Sequence, residues 1–525
     1  MSAREHIAFN AEPDGRGSIA IDLQKLIGPH FTDPWWRLCN LYWIVDENAK
    51  PIPFVPNDEQ REFYENLWTR NLILKARQLG FSTFMQILML DQCLFNANFT
   101  GVVIADTLPN AGKLFSKITF AKNRLSEELR EAIPLKVDNR TEYEWQNGSR
   151  VNVSTSARGG TVQLLHISEL GKISLKFPER AKEIKTGALE AMSAESIAVI
   201  ESTAEGDAGL FFDLCDAALK RMEAGEPETR LDWRLHFFPW FRKAAYCLTL
   251  EEAARVVVDH KDHQYFDKIE VECKVKLSVG QRAWYVKKRE TLGDEMKREY
   301  PSTPREAFEQ AIEGAVYAKQ MTEIRKAGRI TTVPLDPNFK VNTFWDLGAS
   351  VGNATCVWFH QRIGLQHRFP AYHEDEGEDL RHYWNLMEDM RKEAGFQWGA
   401  HYLPHDGDAE MLGEVITTKK KILESLGAQN VVIVPRIPDI TAGLDLTKQR
   451  MVADVWIDRE NCARGIKALD HYQYHWEESL GRWSRHPLHN WASNGADAFR
   501  QWAQGYSDRG ELGDITSFKK RDRRW

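Results

Sequence analysis

From Leu72 to Phe84 the chain reads L-I-L-K-A-R-Q-L-G-F-S-T-F, and it carries the groups that hold a phosphate: a lysine, a glycine and two hydroxyls. Leu72, Ile73 and Leu74 form the short apolar run of a buried parallel strand. Gly80 permits a tight turn. Ser82 and Thr83 are expected to cap a helix whose apolar positions Phe84, Ile87, Leu88 and Leu94 fall at helical spacing. Such a strand, turn and helix start offer backbone N–H groups and the positive helix end to an anion, with a hydroxyl, here Ser82, for its Mg²⁺. The loop departs from G-x-x-x-x-G-K-[ST], because Lys75 stands at the first glycine position and Phe81 at the lysine position. Phenylalanine cannot neutralise a phosphate, so the cation must be Lys75 or Arg77. Lys75 is the expected one, since its flexible stem leaves the strand at its carboxyl end and can span the turn as a point charge.

Other residue types extend this chemistry. Asn57 is expected to cap a helix whose first exposed turn holds Gln60, an amide able to pair with both edges of adenine. Val162–Ile167 reads as a strand ending at Ser168-Glu169, and a carboxylate there can orient the water that attacks a γ-phosphate. Ser168 stands where an acid for the metal is common. Ile197–Ile200 is another strand, ending at Glu201-Ser202-Thr203. Arg158, on the glycine turn S-A-R-G-G, is a candidate charge-stabilising finger. Further on, Asp346 lies within an apolar strand, Asp406 ends a second strand, and Asp497 heads a helix. Three carboxylates from two strands and a helix suit two divalent ions about 3.5–4 Å apart, which clamp the attacking and leaving oxygens of a phosphodiester. Each of these residues alone is equally a cap, a loop cation or a turn acid; the argument is in the set and its order.

The elements that must position them are those of an α/β protein. Gly101–Asp106 adds a buried strand, Tyr143–Ser154 a hairpin about the turn pair Asn147-Gly148, and helices separate most of the strands. A second α/β pattern begins at Val341, with Ala354–Phe359 as the return strand of a hairpin. Trp35, Trp36, Tyr42 and Trp43 read as a packing layer, because basic residues are not interleaved with the rings.

At 525 residues, 42% hydrophobic and 28% charged, the chain reads as a multidomain globular protein. It shows no bilayer-length apolar run and no signal-peptide layout at Met1-Ser-Ala-Arg-Glu-His. The seven cysteines are scattered with no C-x-x-C, which points to a reducing compartment. A net charge of −7 argues against nucleic-acid binding by bulk charge, though not against local basic grooves.

Taken together, residues from about 55 to 505 resemble the large terminase subunit of tailed bacteriophages. Lys75–Thr83 looks like that family's phosphate loop, Leu165–Glu169 its catalytic-glutamate motif and Ser202-Thr203-Ala204 its coupling motif. Tyr300–Phe308 resembles its approach to the linker, while Trp345–Gly348, Pro404–Asp406 and Gly495–Arg500 resemble its nuclease acids. The resemblance implies an N-terminal segment (1–55), a RecA-like P-loop ATPase (56–310), a linker (311–340), an RNase H-like nuclease (341–510) and a basic tail (511–525). It implies ATP bound at Gln60, Lys75, Arg77, Gly80, Ser82 and Thr83, with Lys75, Glu169 and Arg158 catalytic and Ser202 and Thr203 coupling hydrolysis to movement. Mg²⁺ is expected at Ser82, and two divalent ions, Mg²⁺ or Mn²⁺, at Asp346, Asp406 and Asp497. The implied partners are double-stranded DNA, a portal protein, a terminase small subunit and further copies of the chain in a ring, in the host cytoplasm and without membrane. A helicase-nuclease of repair or defence, and a catalytically inactive DNA-binding scaffold, are the competing readings; the first needs a second RecA-like lobe, and none is apparent between 210 and 340.

Overall fold

The apolar run ahead of the loop is a strand with all six residues buried, β1 (Arg70–Lys75), inside an eight-stranded sheet. The computed structural model describes residues 29–155, 161–190, 192–309, 314–348, 354–411, 417–477, 480 and 482–507. Two units divide the chain, Met1–Gln310 and Ala311–Trp525.

In the first unit β2 (Thr100–Ile104), β3 (Leu135–Asp138), β4 (Glu142–Trp145), β5 (Arg150–Ser154), β6 (Leu164–Ser168), β7 (Ile197–Ser202) and β8 (Arg234–Phe238) complete the sheet, in the order β8-β1-β7-β6-β2-β5-β4-β3. The pairings from β8 to β5 are parallel, and β4 and β3 close the edge antiparallel. Alternate residues of β1 enter different cores, Ile73 on one face and Leu72 and Leu74 on the other. Both faces are therefore covered, which is why Leu72, Ile73 and Leu74 run apolar without alternation. This is the RecA-like arrangement, with the loop strand β1 beside β7 and β7 beside β6, so the strand ends bearing Lys75, Glu201 and Ser168 lie side by side.

Residues 29–55 belong to the same core. Phe31, Leu38, Tyr42 and Phe54 are buried with Phe84 and Leu88 of α2 (Phe81–Phe95), the helix that follows the loop, and Trp35 and Trp36 pack against them. Arg37 forms a two-pronged pair with Asp91 of α2 at 2.8 Å per bond, and Tyr42 Oη donates to the same carboxylate at 2.8 Å. All three side chains are buried.

The second unit holds a seven-stranded sheet. Its strands are β9 (Ile330–Thr331), β10 (Val341–Asp346), β11 (Thr355–Ile363), β12 (Gln366–Asp375), β13 (Trp398–Leu403), β14 (Val431–Ile433) and β15 (Val455–Asp458), ordered β9-β15-β12-β11-β10-β13-β14. The antiparallel meander β10-β11-β12, joined by β13 and β14 parallel to β10, is the RNase H-like core. The segment expected as a linker is not a plain connection: it contains a helix, Ala318–Lys326, and β9, which pairs with β15 of this sheet.

Removing one partner of a buried, hydrogen-bonded ion pair leaves the other charge uncompensated. Asp91→Ala is therefore expected to cost about 3–5 kcal/mol, read from denaturant unfolding of the full chain.

Candidate functional site

The loop between β1 and α2 is held by its carbonyls and by two left-handed residues. Tyr246 Oη donates to Arg77 O at 2.6 Å and Lys243 Nζ to Gln78 O at 2.9 Å. Gln78 has φ 56° and Gly80 φ 77°. A Cβ at Gly80 would stand 2.7 Å from the movable Gln60 Nε2, so it is the left-handed backbone that favours glycine there. Gly80 itself is the N-cap of α2, and no side chain caps the helix. Ser82 and Thr83 are thus not caps as expected but first-turn residues, and Thr83 Oγ1 accepts from Lys117 Nζ at 2.9 Å. An N-terminus without a side-chain cap leaves its first N–H groups to an anion.

Phe81 is buried, edge-on to Phe63 (centroids 5.8 Å) and against Phe238 (4.7 Å). The residue in the lysine position therefore serves the core. Gln60 is buried too, contrary to the exposed turn expected for it: Asn57 N donates to its Oε1 at 3.1 Å and its Nε2 faces Leu79 O at 3.4 Å. Its amide braces the loop from below.

Lys75 and Arg77 point to different partners. Lys75, 7% exposed, places Nζ 3.6 Å from Glu201 Oε2. Arg77 pairs through Nε and Nη2 with the buried Glu299. That pair continues outward, because Arg298 Nε donates to Glu299 Oε1 at 3.1 Å and Arg298 Nη1 to Glu205 Oε2 at 3.4 Å. Glu169, directly after β6, has φ 62° and ψ 44°, a strained conformation for a residue with a side chain, and makes no helix-cap bond. Its carboxylate meets Lys172 Nζ at 3.2 Å. Ser202 and Thr203 lie behind it: Gly171 N donates to Ser202 Oγ at 3.1 Å, and a Cβ on Gly171 would stand 2.8 Å from both Ser202 Oγ and Thr203 O. Arg158 lies outside the described residues.

Two groups here were not singled out from sequence. Glu201, fully buried, has His166 Nε2 and Ser168 Oγ each 3.3 Å from Oε1, with the Ser82 hydroxyl near enough to favour its charge. Burial alone would raise its carboxyl, but Lys75, His166 and Ser82 outweigh burial and hold it well below the usual carboxylate range. Lys117, on α3 (Leu108–Asn123), has its pKa drawn down by burial, with Glu201 opposing and Lys75 adding. A charged residue at a strand end was the available signal for Glu201. Lys117 had none, since a lysine on an amphipathic helix reads as solvated. A divalent ion at Ser82 fits this donor set, a hydroxyl backed by an ionised carboxylate.

In the second unit the structure brings the three expected aspartates to one region. Asp346 is the last residue of β10 rather than mid-strand. Pro404 ends β13, so Asp406 sits on the short turn His405–Asp408 instead of the strand. Asp497 lies in the second turn of Trp491–Gly505, not at its head. Lys419 Nζ is 3.4 Å from Asp406 Oδ2, while Arg500 Nη2 (3.0 Å) and Tyr472 Oη (3.2 Å) donate to Asp497 Oδ1. Burial, then Asp497, then Asp406 push Asp346 up to about 8, with Arg500 and Lys419 opposing. A carboxyl raised by two others in this way suits a divalent cation beside it, though the ligand atoms of the three are not gathered within 4.8 Å.

No protein-family model and no curated protein matches the chain. Solved structures it is similar to include phage large terminases. The large terminase of bacteriophage HK97 is 11% identical, with a TM-score of 0.43 over 94% of this chain and 100% of that one. The large terminase of a thermophilic bacteriophage, solved in complex with ADP, is 9% identical, with a TM-score of 0.30 over 85% and 98%. The nuclease domain of the bacteriophage SPP1 large terminase with bound Mn is 11% identical, with a TM-score of 0.24 over 31% and 84%.

A carboxyl raised from 3.8 to about 8 favours the folded state while protonated. Its contribution is complete below the unfolded pKa and is lost as pH rises through about 8. In metal-free buffer the stability of the full chain is therefore expected to fall between those values. Denaturation at a series of pH values should show that fall in wild type and a shallower one in Asp497→Asn.

Proposed function

We propose that the chain is the motor subunit of a viral DNA-packaging machine, which hydrolyses ATP to drive double-stranded DNA into a prohead and cuts that DNA with a metal-dependent nuclease. One observation carries the reading. A single chain joins a RecA-like sheet, with Lys75 ending β1, Glu169 following β6 and β7 between them, to an RNase H-like sheet with Asp346, Asp406 and Asp497 in one region.

In the ATPase site the first turn of α2 binds the phosphates, Lys75 neutralises the transferred one, and Arg77 stays with Glu299 as a brace. Bound at Ser82, Mg²⁺ spreads the charge that develops on the phosphate oxygens. Glu169 orients the attacking water, and its unfavourable backbone aims the carboxylate. Ser202 and Thr203, packed on Gly171, pass the departure of the phosphate to the helix after Glu169. In the nuclease site Asp346, Asp406 and Asp497 hold two divalent ions, Mg²⁺ or Mn²⁺. The working form is a ring of copies docked on a portal protein in the host cytoplasm, with Arg158 as finger and a small subunit choosing the DNA.

Steady-state ATPase and plasmid cleavage on one set of variants test this reading. Lys75→Ala is expected to lose about 10²–10³ in ATPase rate and Arg77→Ala less, while Glu169→Gln binds nucleotide but turns over slower by orders of magnitude. All three should keep cleavage. Asp406→Ala should lose cleavage and keep DNA-stimulated ATPase. A wild-type chain with neither activity overturns the proposal.

A further inference from the structure

Ser168 removes an acid from the place where a P-loop ATPase keeps the carboxylate behind its metal, and the structure offers a replacement one strand away. In the sheet register Ser168 of β6 stands opposite Glu201 of β7, and Glu201 in turn stands opposite Ile73 of β1. The replacement is thus at the same level of the sheet, between the expected position and the loop strand. Its surroundings are those of a group built to be ionised. Gln86 Nε2 lies 3.0 Å from His166 Nδ1, which leaves the ring hydrogen on Nε2, facing Glu201 Oε1. Ser168 Oγ donates to that same oxygen. The other oxygen, Oε2, is buried without a hydrogen bond and faces Lys75 Nζ. A fully buried carboxylate oxygen is costly to leave so lightly engaged. It is aimed at the start of the phosphate loop, 3.6 Å from Lys75 Nζ.

Resting on the ATPase reading above, we infer that Glu201 is the positioning residue for the nucleotide's divalent ion, doing from β7 what an acid at Ser168 would do from β6. It accepts from the Ser82 hydroxyl, orienting that oxygen's lone pair toward the ion, and its free Oε2 receives a hydrogen from water on the ion. The strand before the coupling residues Ser202 and Thr203 then carries the ion's carboxylate as well, so metal and coupling share one backbone. Glu169 is left with the attacking water alone.

The test is Mg²⁺ titration of the binding of a fluorescent ATP analogue, which needs no turnover. Wild type should bind more tightly as Mg²⁺ rises. Glu201→Gln should need about 10–100-fold more Mg²⁺ for half-effect, and the double variant Glu201→Gln/Ser168→Asp, which returns an acid to the neighbouring strand, should recover most of that loss. An unchanged Mg²⁺ midpoint in Glu201→Gln overturns the assignment and leaves the ATPase reading standing. Wild type that binds no nucleotide removes both. If Glu201→Gln does not fold, Glu201→Asp keeps the charge and withdraws it by one methylene; a displaced midpoint supports the assignment, and a wild-type midpoint overturns it.

A different observation in the second unit carries a second site. His373 and Asp375 end β12, and His382 lies in the first turn of Leu380–Ala394. Their ligand atoms all lie within 4.8 Å of one another, the only such group among the described residues. His382 Nε2 is 3.2 Å and His373 Nε2 4.0 Å from Asp375 Oδ2, and both ring nitrogens are buried without a hydrogen bond. Glu378 Oε2 stands 3.9 Å from His382 Nδ1, where an outer carboxylate supports a metal-bound imidazole. The geometry points to a Zn²⁺ site here, since two imidazoles and one carboxylate select a borderline ion over Mg²⁺. Its role is to pin the end of β12 to the helix. Titration calorimetry of Zn²⁺ into the full chain with Mg²⁺ in excess should show a site that is lost in His373→Ala/His382→Ala, and Zn²⁺ should raise the melting temperature of wild type only. Equal Zn²⁺ binding by both proteins, or none by wild type, overturns it.

Discussion

The first unit depends on keeping one charge in the dark. Glu201 has no contact with solvent, and Lys75 beside it is nearly as enclosed. An isolated carboxylate in such a place would take up a proton or unfold its surroundings. It stays ionised because a lysine, an imidazole and a hydroxyl converge on it from three elements: β1, β6 and the first turn of α2. Each comes from a different element, so the charge ties the three together. The loop is thereby placed by electrostatics as much as by its glycine, and the absence of a lysine at Phe81 becomes intelligible. The cation has moved to the strand, where the buried acid needs it, and the vacated position has been given to the core.

How much of this could be read from sequence follows the same division. Strands buried on both faces carry unbroken apolar runs, so β1, β6 and β7 were legible by Leu72–Leu74, Leu164-Leu165 and Ile197–Ile200, and the hairpin about Asn147-Gly148 by its turn pair. Residues that act through a partner far away in the chain were not. Gln60 reads as an exposed amide because its local sequence is polar, yet a capping box and the close approach of Gly80 bury it. Glu201 precedes a hydroxyl pair that drew the attention, and what marks it is the convergence of Lys75, His166 and Ser82 from elsewhere.

In the second unit the aspartates were legible by type and order, whereas their exact stations were not. Asp406 sits past Pro404 because proline lacks the N–H to continue the ladder, which moves the acid from the strand onto a turn. Asp497 was read as a helix-heading acid, but Asn490 takes the cap and Asp497 falls a turn and more inward, where Arg500 reaches it from the next turn. The segment after residue 311 reads as a connection because glycines punctuate it; pairing of Ile330 and Thr331 with β15, invisible locally, draws it into the sheet.

The line of alternating charges Arg77, Glu299, Arg298 and Glu205 has a mechanical consequence. Glu299 holds two guanidinium groups, and Arg298 reaches three carboxylates, Glu205, Glu295 and Glu299, so each can release one neighbour and remain paired with another. A row of this kind yields by exchanging partners, which takes far less energy than opening a lone buried pair. The row thus ties the loop at Arg77 to the backbone just ahead of Pro301, so that a shift of Arg77 would be met by exchange along it and would strand no charge.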